Sequence, residues 1–151
     1  MTPRKDDSDV NIVYREDGFR SRTGHWVRTS EEAMICTWLE TRDVPHRHAG
    51  EVFRLPAGST VAPRVYIPSI TLDQKDKKGK TMIIEPLDGF GLTQGKMRLL
   101  AAFREQYRKT YHLVVLVTRQ LLRKVPKDAR DALIAFEDIK LLERMIPFEE
   151  Q

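Results

Sequence analysis

Cysteine is almost missing from this 151-residue chain, in which Cys36 stands alone. A single cysteine excludes an intramolecular disulfide framework and a multi-cysteine zinc site. Long apolar runs are missing as well. None approaches the roughly 20 residues of a membrane-spanning helix, and the opening stretch MTPRKDDSDV has no apolar signal core. The expectation is a soluble, cytoplasmic protein with no membrane partner. Internal repeats and low-complexity segments are absent too, which excludes solenoids and biased linkers. What is present, 40% apolar and 32% charged residues, is a globular balance and not that of a disordered chain. The length fits one domain, 11–151, behind a polar tail, 1–10.

The net charge of +4 conceals an uneven distribution. Residues 1–76 carry 11 basic and 12 acidic side chains, residues 77–127 carry 12 and 3, and residues 128–151 carry 3 and 7. A strongly basic middle is the electrostatic footprint of a polyanion, so nucleic acid is the expected partner. The plainer reading is a solvated lysine-rich surface.

Local patterns order the chain as helix, three strands, helix, strand, helix. A first helix over 30–42 can be capped by Thr29 or Ser30, has Glu31 and Glu32 in its first turn, and ends before Pro45. Strands are expected at 48–55, 61–72 and 81–85, the last two joined as an antiparallel hairpin through DQKDKKGK. A glycine-rich stretch, LDGFGLTQG, precedes a second helix over 96–109. Its glycines lack the spacing of a phosphate-binding P-loop and suit a turn that offers backbone N–H groups to a phosphate. YHLVVLVT, 111–118, is the continuous apolar run of a central, parallel strand. An amphipathic helix is expected over 128–145, a surface for a protein partner or a second copy. The fold class is α/β, a small mixed central sheet flanked by helices.

This order, and the residues on it, resemble the restriction-endonuclease-like PD-(D/E)XK nucleases over about 90 residues, from Trp26 to Val117. WVRTSEEAMICTWLETRDVPHRH is similar to the family's opening helix and puts Glu32 at the first acidic position. PRVYIPS is similar to its Pro-Asp-Phe-Tyr-x-Pro segment. MIIEP looks like the strand that bears the Glu of Glu-x-Lys, here Glu85, and KMRLLAAFREQYRKTYHLVVLV resembles the helix and strand that follow. Members hold a magnesium-like ion on carboxylates, while a lysine stabilises developing charge.

The departures are specific. Arg64 stands where the resemblance expects the metal-binding aspartate, and Leu87, behind Pro86, where it expects the lysine. A cation at the aspartate position would repel a divalent ion by several kcal/mol. The resemblance therefore implies a nuclease-like protein with a degenerate site and no cofactor, binding DNA or RNA through a basic face. Residues assigned to that face are Arg20, Arg22, Arg28, Arg64, Lys96 and Arg98, with His25 and Trp26 in the same basic-aromatic segment. The alternative is an active Mg2+-dependent endonuclease. In it Glu32, Asp73 and Glu85 hold the metal, and Lys96, relocated to the second helix, joins Glu32 and Glu85 in catalysis.

Two further features have plain readings. His46 and His48, two apart, share one side of an extended strand, as metal ligands can, but with no third ligand expected nearby they are read as a surface pair. Cys36, beside the apolar stripe of the first helix, is expected in the core.

Overall fold

The computed structural model describes residues 13–15, 18–20, 26–27, 29–55 and 64–146, and up to residue 26 it describes the backbone alone. Strands β1 (Val13–Arg15), β2 (Gly18–Arg20) and β3 (Trp26–Val27) form a small antiparallel sheet. Helix α1 (Ser30–Thr41) follows, capped by Thr29, whose hydroxyl accepts from the Glu32 N–H at 3.1 Å. At its far end Asp43 takes a left-handed conformation, φ 55°. An aspartate tolerates that better than most residues do, and Pro45 then bars further helix.

The main sheet has five strands in the order β10-β9-β8-β7-β4. They are β4 (His46–His48), β7 (Ile70–Lys75), β8 (Thr81–Pro86), β9 (Tyr111–Val117) and β10 (Ala132–Ala135). Antiparallel pairing joins β4 to β7 and β7 to β8, whereas β9 runs parallel to both its neighbours, β8 and β10. Helix α2 (Gln94–Tyr107) makes the crossover from β8 to β9, starting from the Thr93 cap. The hairpin and the central parallel strand match the expectation from sequence, as does the α/β class. The remaining strands, β5 (Phe53–Leu55) and β6 (Arg64–Tyr66), pair with each other.

Strand alternation sends side chains to two cores, one on each face of the sheet. Met82, Ile84, Val114 and Leu116 pack with Ile35 and Leu39 of α1 and with Leu142 and Ile146. Ile83, Leu113, Val115 and Val117 pack with Met97, Leu100 and Phe103 of α2. Under α2, Phe53, Tyr66, Phe103, Tyr107 and Tyr111 form one aromatic cluster, with neighbouring ring centroids 4.7–6.4 Å apart. At such separations edge-to-face contacts add to simple burial.

Three expected elements change. The strand at 48–55 is split between two sheets, because Ala49 sits at φ 49° and turns the chain out of β4. The strand at 61–72 is interrupted at Pro68, which has no N–H to give a ladder, and its described parts are β6 and β7. The helix at 128–145 is not formed. ALIA pairs with Val114–Val117 as β10, three short 3-10 turns flank it, and only Leu142–Met145 (α3) is α-helical. An exposed edge of β9 competes with helical periodicity there and wins. The amphipathic docking helix on which a partner or homodimer was expected is therefore not present.

Candidate functional site

Alternation along β8 places Ile83 and Glu85 on the side of α2, so Glu85 is fully buried. A carboxylate in such a place needs donors. Tyr66 of β6 donates its hydroxyl to Oε1 at 2.5 Å, and the Ser69 N–H reaches the same oxygen at 2.9 Å. The Ser69 hydroxyl donates to Oε2 at 2.8 Å, and Lys96 Nζ lies 3.8 Å from it, above the Tyr66 ring. Lys96 arrives there because the Thr93 cap starts α2 three residues earlier, its hydroxyl accepting from the Lys96 N–H at 3.0 Å.

Glu85 stands at the carboxyl end of its strand, where open α/β sheets leave a crevice. A cleft of about 270 Å³ opens there, lined by Glu32, Ser69, Glu85, Asp88, Thr93 and Lys96 among others. Thr29 and Thr93 both line it, so α1 and α2 each point an N-terminus into the cleft. Helix N-termini carry partial positive charge and N–H donors suited to a phosphate. Asp88 caps the 3-10 turn Gly89–Gly91 by accepting from the Gly91 N–H at 2.8 Å. That turn holds Phe90 out into solvent, 92% exposed, between two residues that line the cleft.

No family model, no curated protein and no solved structure matches the chain.

Glu32, Glu85 and Lys96 thus line one cleft. Asp73 does not join them. It lies 44% exposed on β7, where Arg47 Nε donates to it at 2.9 Å. Arg64 is on β6, paired opposite Leu55, and does not line the cleft. The residues that meet Glu85 from the neighbouring chain segment are Tyr66 and Ser69, and the sequence signal for the latter is Pro68-Ser69 directly ahead of ITL. Leu87 is 7% exposed and packs into the core under α2. Arg98 is exposed and lines a second hollow with Lys124. Arg22, His25 and Arg28 lie outside the described residues, as do the side chains of Arg20 and Trp26.

A magnesium site of the expected kind does not fit these residues. Both oxygens of Glu85 are occupied by protein donors, one neighbour is an ammonium, and the side chain that faces Oε2 at 2.8 Å is the Ser69 hydroxyl and not a second carboxylate. Among the described residues, the one convergence of three metal-ligating side chains is Cys36, His46 and His48. Both histidines lie on β4, and His46 is 9% exposed, so they are not the surface pair expected from sequence. Burial lowers the pKa of His48, but hydrogen bonds to Cys36 and Glu32 outweigh it and raise the value to about 9.

The basic block of 77–127 is divided in space. Lys77, Lys78 and Lys80 sit on the β7–β8 hairpin and Arg108 and Lys109 beyond the end of α2, all near the amino ends of β8 and β9. Four strand steps, roughly 13 Å at about 3.3 Å each, separate Thr81 from Glu85. Lys96, Arg98, Arg123 and Lys124 belong to the cleft end, whereas Arg119 is paired with Asp138 at 2.9 Å.

Proposed function

We propose that this is a nuclease-like nucleic-acid-binding protein that grips a phosphate backbone at the cleft end of its sheet without cutting it. One observation carries this reading: the acidic group at the centre of the cleft, Glu85, is already hydrogen-bonded by Tyr66 and Ser69 and faced by the ammonium of Lys96. In a metal-dependent nuclease a divalent ion would take that role. The order helix, antiparallel strands, crossover helix, parallel strand supports a restriction-endonuclease-like fold. Two helix N-termini, Lys96 and the nearby Arg98 supply positive potential, and Phe90 offers an exposed ring on which a base can stack.

The test is fluorescence anisotropy with labelled single-stranded DNA, duplex DNA and RNA across a salt series. Three phosphate contacts give a loss of about 40-fold in affinity for duplex DNA, and about 20-fold for a single strand, between about 50 and 200 mM salt. The K96E/R98E double variant should bind more weakly and with a shallower salt slope. No cleavage is expected in Mg2+ or Mn2+. Absent or salt-independent binding would overturn the reading. Metal-dependent cleavage abolished by Glu85→Ala would instead establish the active endonuclease.

A further inference from the structure

Helix α1 carries Glu32, Cys36 and Glu40 four residues apart, so the three lie along one face. That face meets β4, where His46 and His48 point to the same side with their rings 4.9 Å apart. Cys36 Sγ is 3.3 Å from His46 Nε2, and ligand atoms of all three residues lie within 4.8 Å of one another. The second nitrogen of each ring is held by an acceptor. His46 Nδ1 donates to the Val44 carbonyl at 2.9 Å, and His48 Nδ1 donates to Glu32 Oε2 at 2.8 Å. When each ring is neutral, as a metal ligand must be, these bonds select the tautomer with its proton on Nδ1 and its lone pair on Nε2.

We propose that Cys36, His46 and His48 form a binding site for a zinc-type divalent ion. Three lines of geometry support it. Thiolate and imidazole are the donors that zinc prefers over magnesium. Tetrahedral zinc places sulfur and nitrogen donors about 3.3–3.6 Å apart, so the cluster closes on an ion with shifts of about an ångström. Each histidine also has the backbone-carbonyl or carboxylate partner that orients metal-bound imidazole. The fourth position falls to water or to Glu40, whose Oε1 lies 3.7 Å from His46 Nε2. The site is buried, with Cys36 fully enclosed, which suits an ion that clamps α1 to β4. It is separate from the nucleic-acid reading, although Glu32 touches both.

The full-length protein, stripped with a chelator, is titrated with Co2+ and then with Zn2+ in competition with a chromophoric chelator. One equivalent of Co2+ should give a thiolate-to-metal charge-transfer band and the intense visible bands of tetrahedral cobalt, both bleached by Zn2+. Cys36→Ala should remove the charge-transfer band. Glu32→Gln should weaken Zn2+ binding by about 10–100-fold, the usual cost of losing an orienting partner. A folded wild-type protein, judged by circular dichroism, that shows no charge-transfer band would overturn the site; so would a band that persists in folded Cys36→Ala. If Cys36→Ala fails to fold, the wild-type spectrum and its one-to-one stoichiometry decide alone.

Discussion

Replacing Ser69 by aspartate probes the cleft most directly, because the Ser69 hydroxyl touches Glu85 Oε2 at 2.8 Å. In S69D a second carboxylate faces buried Glu85 from a half-buried position at the cleft. Two negative charges about 4 Å apart repel by about 4 kcal/mol at an effective dielectric of 20. The lost hydroxyl donor adds about 1.5–3 kcal/mol, since its acceptor is charged. Lys96, 3.8 Å from the same oxygen, and rotation of the new side chain toward the cleft offset part of this. A net loss of about 3 kcal/mol should lower the melting temperature by about 6–12 °C in a chain of this size.

The two carboxylates, however, make a hard oxygen pair that a divalent ion can bridge. Ca2+ at 100 times its dissociation constant returns about 2.7 kcal/mol, so the melting temperature should recover nearly to that of wild type. The assay is thermal unfolding of wild type, S69D and S69A, with and without Mg2+ or Ca2+. S69A should lose stability but gain nothing from either ion. An S69D variant as stable as wild type without metal, or one that no ion restores, would refute the argument that a carboxylate at position 69 would pair with Glu85 around a divalent ion.

Further predictions concern single contacts. Phe90→Ala, which touches no core, should leave the melting temperature unchanged and weaken single-stranded nucleic-acid binding by about 1–3 kcal/mol in anisotropy titrations. Tyr66→Phe removes one donor to buried Glu85 and should cost about 1.5–3 kcal/mol in urea unfolding. Asp131 accepts from the Leu113 N–H at 2.8 Å and from Arg104 at 2.7 Å, just ahead of β10. Asp131→Ala should therefore cost about 1–3 kcal/mol and raise amide exchange first in β10. Unchanged exchange there would count against the pairing of β10 with β9.

Legibility from sequence followed the range of the interactions. The run at 111–117 and the hairpin around Gly79 are written in local composition, and both stand as expected. Glu85 and Lys96 were legible because each lies at a strand end or a helix start. Ser69 was obscured because two prolines, Pro63 and Pro68, allow several registers for the same segment, and only the pairing of Ile70 with Ile84 selects one. The strand β10 was hidden for a similar reason. Leu133, Phe136 and Ile139 follow a helical period, and only the waiting edge of β9 makes ALIA extended. Cys36 meets the histidines across a helix–strand packing, which no spacing rule reports.

The sheet ends on its two shortest strands, β4 with three residues and β10 with four, against six or seven for those between them. Little backbone is left on either rim for another chain to zip onto. Growth of the sheet by self-association, and the fibre-forming hazard that comes with it, is thereby limited by geometry. Contact between two copies along either rim would then run mainly through side chains and not through a continuous sheet.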